Sequence, residues 1–138
     1  MSSDLFIGTW QLIPELSLYA MGTPPASGIY VIERADAGLA LRIEWTMQLG
    51  EPIRTTAFGG PDDGTVQAMP TGTPGPDGFS LQRVDDRTLD SSAFREGKVI
   101  AYARRVASHD GQLLTVVQES NTPDGKSFRN FQVYRRVA

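Results

Sequence analysis

Two arginines stand side by side, Arg104-Arg105, within a stretch that reads as a strand. Side chains alternate across a strand, so one of the pair faces the interior and the other faces solvent. An inward guanidinium is costly to bury alone and calls for a carboxylate partner or a ligand anion. Glu119, Glu44 and Glu33 are the acids that could pair with it, and a side chain snorkelling to a rim is the plainer outcome. The only histidine, His109, precedes Asp110-Gly111 and is expected at an exposed turn, a poor position for a metal or haem ligand. No Gly-x-Ser-x-Gly elbow accompanies it. Asp62-Asp63 and Asp85-Asp86 are adjacent carboxylates, which a strand points in opposite directions. Turn chemistry explains them better than an acid–base pair, and no EF-hand spacing follows either. The chain has no cysteine, which removes disulfides, thiolate nucleophiles and cysteine-ligated metals. No catalytic residue, metal site or cofactor is assigned.

The elements that position these residues are strands. Four Asp-Gly pairs punctuate the chain at 63–64, 77–78, 110–111 and 124–125. This pair suits tight hairpins whose central residues need positive φ. Leu39, Leu41, Ile43, Trp45, Met47 and Leu49 alternate with Ala40, Arg42, Glu44, Thr46 and Gln48, a half-buried strand. Further strands are expected at Phe6 to Ile13, Gly28 to Arg34, Ile53 to Phe58, Phe79 to Val84, Thr88 to Arg95, Lys98 to Ala107, Gln112 to Ser120 and Lys126 to Val137. A short strand is expected at Thr65 to Met69, and a loop with one short helical turn over Glu15 to Ser27. Residues 59–78 hold six glycines and four prolines and read as wide turns, with a flexible lid as the other reading. So long a meander has edges that invite aggregation, and closure into a barrel resolves them.

At 138 residues the chain is one domain, 1–138, able to bury a core without staples. Thirteen basic and sixteen acidic residues leave a net charge of −3, which argues against a nucleic-acid partner. No apolar run approaches the roughly 20 residues that span a bilayer, and no signal-like N-terminal stretch is seen. The expectation is a cytoplasmic protein with no membrane partner.

Gly8-Thr9-Trp10 resembles the Gly-x-Trp of lipocalins and their relatives, where the Trp plugs the closed end of the barrel. Phe131-Gln132-Val133-Tyr134-Arg135-Arg136-Val137 resembles the last strand of intracellular fatty-acid-binding proteins. Most of the chain is similar to small uncharacterised bacterial lipocalin-like (calycin-type) proteins. The shared segments are Arg83-Val84-Asp85-Asp86-Arg87-Thr88, Gly97-Lys98-Val99, Arg104-Arg105-Val106, Asp110-Gly111-Gln112 with Leu114-Thr115-Val116, and Val133-Tyr134. The resemblance implies a barrel with Trp10 at its base and no assigned activity. Fatty-acid-binding proteins clamp the ligand carboxylate with an Arg two residues before the terminal-strand Tyr. Here that position is Gln132, and Arg104 or Arg136 replaces the clamp only if its side chain points inward.

The reading is an all-β antiparallel meander closed into a lipocalin-like barrel of about 8–10 strands, binding a small apolar or amphipathic ligand. Tyr102, Arg104, Gln132 and Tyr134 are expected to orient the ligand, and Trp45 and Met47 to line its pocket. If Trp45 is core, its truncation to Ala costs about 3–5 kcal/mol. An enzyme on the same barrel, an isomerase or hydrolase, would need a buried titratable group such as Glu44, Glu119 or Tyr134. A filled barrel acting as a homodimeric interaction module is the third reading.

Overall fold

Leu39, Leu41, Ile43 and Trp45 all turn to one side of a strand, and the other strands fold around that face. The computed structural model describes residues 4–20, 24–69, 76–121 and 125–138. Their strands are β1 (Gly8–Leu12), β2 (Leu18–Tyr19), β3 (Ser27–Ala35), β4 (Gly38–Thr46), β5 (Arg54–Gly60) and β6 (Gln67–Ala68). They continue as β7 (Gly78–Asp85), β8 (Thr88–Arg95), β9 (Lys98–Ala107), β10 (Leu113–Asn121) and β11 (Ser127–Arg136). A single 3-10 turn, Pro14–Leu16, is the short helical piece expected after the first strand.

All pairings are antiparallel and form one sheet in the order β5-β4-β3-β1-β11-β10-β9-β8-β7-β6, with β2 also on β11. The sheet curls until its ends meet, giving a nearly closed barrel. β1 joins the first and last thirds of the chain, because it pairs with both β3 and β11. The described strands number eleven. The two-residue strand β2 accounts for the excess over the expected count, and β6 is the short strand expected within 65–69. β4 ends at Thr46, and Leu49 is 86% exposed, so the inward face of this segment stops before the point where the sequence alternation ends.

Where β5 and β7 face each other no ladder connects them. Phe58 and Phe79 bridge this seam with ring centroids 5.1 Å apart in an edge contact. Nearer the other end the chain after β5 crosses onto β7: Asp63 bridges Gln82, the Gly64 amide donates to the Leu81 carbonyl and the Arg83 amide to the Asp62 carbonyl.

Expected turn chemistry is corrected in one respect. Among the described residues the non-glycine with positive φ is Glu96 (51°), followed by Gly97 (79°), so Glu96-Gly97 is the hairpin with both central residues left-handed. At Asp110-Gly111 only Gly111 takes positive φ (71°), and Asp110 instead accepts hydrogen bonds from the Ser108 hydroxyl and the Gln112 amide. Gly78 lies inside β7. Asp124 and residues 70–75 of the Gly/Pro-rich segment lie outside the described residues.

The interior is unevenly filled. Phe6, Trp10, Ile32, Leu39, Leu41, Leu81, Leu89 and Leu114 are fully buried and pack one end. The Trp10 indole N–H donates to the Phe6 carbonyl at 3.0 Å, and the Arg136 guanidinium lies 4.2 Å from the centre of its ring. Arg136 also donates to the carbonyls of Leu5, Ile7 and Gly111. Trp10 therefore plugs the base as expected, and Arg136 is spent closing it.

Candidate functional site

The other end of the barrel is hollow. A cavity of about 390 Å³ lies above the packed base, near the lower end of the range for small-molecule sites. Its apolar wall includes Leu12, Ile43, Trp45, Met47, Phe58, Phe79 and Val116. The small residues Ala93, Ala101 and Ala103 and the bare backbone of Gly28 make room on two sides. Trp45 and Met47 line the cavity. Trp45 is half-buried, with the cavity beside it, and is not part of the packed core.

Arg105 is the charged group in this wall, and it is 4% exposed. Its Nε donates to the Tyr30 hydroxyl at 2.7 Å and its Nη1 to the Ser91 hydroxyl at 2.9 Å. The guanidinium carbon lies 5.8 Å from the ring centres of both Tyr30 and Phe58. No carboxylate among the described residues forms an ion pair with it: the ion pairs engage Arg34, Arg42, Arg83, Arg104 and Arg129. Nη2 has no hydrogen bond among the described residues. Among the described residues no buried side-chain polar atom lacks a partner, so Nη2 is open to the cavity. The site thus holds a positive charge, oriented by two neutral hydroxyls, with hydrogen-bonding capacity left over.

Beside it runs a chain of neutral polar groups. The Tyr134 hydroxyl donates to Gln132 Oε1 at 2.9 Å, and Gln132 Nε2 donates to Gln118 Oε1 at 3.2 Å. Val116 stands opposite both Arg105 and Gln132 in the ladders of β10, so the guanidinium and the amides share one patch of wall. The rings of Tyr30 and Tyr134 meet edge to face with centroids 5.6 Å apart. Burial pushes the Tyr134 phenol well above its ordinary pKa, and burial also raises Tyr30 although Arg105 pulls it back down. Both hydroxyls therefore keep their protons near neutrality.

Gln132 and Tyr134 lie on the cavity wall, while Arg104 and the hydroxyl of Tyr102 face outward. Arg104 lies on the outer face of β9, with Nε and Nη2 donating to the two Asp90 carboxylate oxygens at 2.7 and 2.8 Å. Tyr102 borders the cavity, yet its hydroxyl is engaged with Asp90 on that same outer face. The inward arginine of the pair is Arg105. The acids weighed as its partners are elsewhere: Glu119 pairs with Arg129 and Glu44 with Arg42, both on the surface. His109 is exposed at its turn and sits 2.9 Å from Arg87 Nη1. Asp62 pairs with Arg83, while Asp63 and Asp85 cap the amides of Thr65 and Arg87. Among the described residues no group of three His, Asp or Glu is placed to hold a metal ion, and no helix is long and apolar enough to cross a membrane.

Sequence reasoning missed Tyr30, Ser91 and Gln118. The available signal was Ala101-x-Ala103-x-Arg105-x-Ala107, a row of small residues on one face of β9 that leaves the space Arg105 occupies.

No protein-family model matches the chain, and no curated protein matches it. Solved structures are similar in fold. Apo lipid binding protein 8 from Caenorhabditis elegans is 12% identical with a TM-score of 0.59, covering 99% of both chains. Secretory abundant heat soluble protein 4 from Ramazzottius varieornatus is 12% identical with a TM-score of 0.55, covering 100% of this chain and 99% of its own. The fold shared with these structures is a nearly closed, lipocalin-like antiparallel barrel.

Proposed function

We propose that this barrel binds a compact amphipathic molecule with an anionic group, its apolar body against Trp45, Met47, Phe58 and Phe79. Arg105 carries the reading. A guanidinium this deeply buried, held by neutral hydroxyls and without a paired carboxylate, is an unfavourable element of a folded state on its own. A carboxylate or similar anion in the cavity would offset that cost and take the free donors of Nη2. Arg105 would do the work that the terminal-strand clamp does in the barrels this chain resembles, from a different strand. The lipid-binding name of one structural neighbour accords with this reading.

Native and denaturing mass spectra of the protein purified without added ligand test it, together with titration of the anionic dye anilinonaphthalene sulfonate. The expected result is dye binding that an Arg105→Met variant weakens at least about tenfold, since a charged hydrogen bond in a dry site is worth that much. A mass excess confined to the native spectrum would begin to identify the natural ligand. A bare mass together with dye binding indifferent to Arg105 would sink the proposal.

A further inference from the structure

The hydrogen bonds along Tyr134, Gln132 and Gln118 have a direction. A tyrosine hydroxyl has one proton to give, and Tyr134 gives it to Gln132 Oε1. That fixes which way the Gln132 amide faces. Its Nε2 donates onward to Gln118 Oε1, and this fixes the second amide in turn. The chain ends on Gln118 Nε2, whose two N–H groups have no acceptor among the described residues. Gln118 is half-buried on the cavity wall among apolar neighbours.

Position in the ladder says where those donors lie. Arg105 stands opposite Val116, and Gln118 is the next inward residue of β10 toward the hollow end, opposite Ala103. Such diagonal neighbours are about 7–8 Å apart. A ligand whose anion meets Arg105 therefore passes Gln118 part-way along its apolar body.

We propose that Gln118 forms a second polar subsite, which selects anionic amphiphiles carrying a hydroxyl or carbonyl oxygen along the chain over plain hydrocarbon acids. This rests on the binding function proposed for Arg105 and adds a substrate class to it. An oriented amide donor in an apolar wall is satisfied by such an oxygen, and a plain methylene chain leaves it bare. Tyr134 and Gln132 act as positioning residues, holding the donor toward the ligand.

The test is displacement of anilinonaphthalene sulfonate by decanoic acid and by its mid-chain hydroxy and keto derivatives. The wild type should prefer the oxygenated acids by about three- to tenfold, the worth of one neutral hydrogen bond. Gln118→Met keeps the side chain's length and removes its donors; it should erase that preference. Tyr134→Phe should reduce the preference by releasing the amide orientation. Equal displacement by all the acids in the wild type would overturn the subsite while leaving the Arg105 reading standing. A preference that survives in Gln118→Met would also overturn it. If none of the acids displaces the dye, the parent proposal fails and this one fails with it.

Discussion

Arg105 Nε donates to the Tyr30 hydroxyl at 2.7 Å, joining β9 to β3, which are separated in the sheet by β10, β11 and β1. The bond crosses the interior between the packed base and the hollow end. It places a cation at the floor of the cavity, and its consequences can be separated from those of its neighbour on the strand.

Arg105→Met should weaken binding of anionic amphiphiles at least about tenfold while leaving stability near that of the wild type or above it. Replacing an unpaired buried charge by an apolar side chain of similar length is often neutral or stabilising, by about 1–4 kcal/mol for buried ionic groups. Arg104→Met removes a surface ion pair with Asp90 and should leave the dye titration unchanged. Urea midpoints and dye titrations on both variants check this. Loss of binding in Arg104→Met would contradict the assignment of faces.

Leu41→Ala and Trp45→Ala should differ in the direction opposite to side-chain size. Leu41 is 1% exposed in the packed base, and its truncation should cost about 2–5 kcal/mol. Trp45 already borders empty space, so its truncation should cost less than about 2 kcal/mol and instead weaken ligand binding. Chemical denaturation of the two variants decides it. An equal or larger cost at Trp45 would make that residue core after all.

Alkaline pH should destabilise the fold through Tyr30 and Tyr134. Burial raises both phenols above their value in the unfolded chain, roughly 10. Below that pH both states hold the protons and the contribution is fully present. Above it the unfolded chain ionises first, and stability falls by about 1.4 kcal/mol per pH unit for each tyrosine. Tyr134→Phe should make the decline shallower in unfolding curves taken from about pH 8 to 11. An unchanged slope would remove Tyr134 from the account.

Gly38→Ala should be costly although the residue is at a strand end. A Cβ there would fall on the carbonyl oxygen of Gly60 and within 2.7 Å of the Pro61 Cα, both backbone groups that cannot rotate away. Overpacking of this kind costs about 1–3 kcal/mol. A thermal melt equal to the wild type would show that the β4–β5 ladder opens there without penalty.

The strands were legible in the sequence because apolar residues with a period of two and the turn glycines agree along most of the chain. β8 and β9 begin and end where that pattern says they do. The site was harder to read for a physical reason visible in β9. On that strand the larger residues Tyr102 and Val106 share a face with Arg104, while Ala101, Ala103 and Ala107 share a face with Arg105. A reading that puts bulk inside chooses Arg104. The cavity reverses the rule on this strand, where Ala101 and Ala103 leave the hollow space. Tyr30 and Gln118 were missed for a related reason: nothing in their own segments marks them, and they become neighbours of Arg105 and Gln132 only once the meander has curled.

The unequal filling of the barrel divides labour between its two halves. The residues that hold the fold together sit at the base around Trp10, and those that would meet a guest sit at the other end around Trp45. Leu12, Tyr30, Ala103, Val116 and Tyr134 serve both, whereas Trp45 and Met47 line the cavity without belonging to the buried cluster. Substitutions at Trp45 and Met47 should therefore reshape the hollow end with little risk to foldedness, so the cavity can change while the architecture persists.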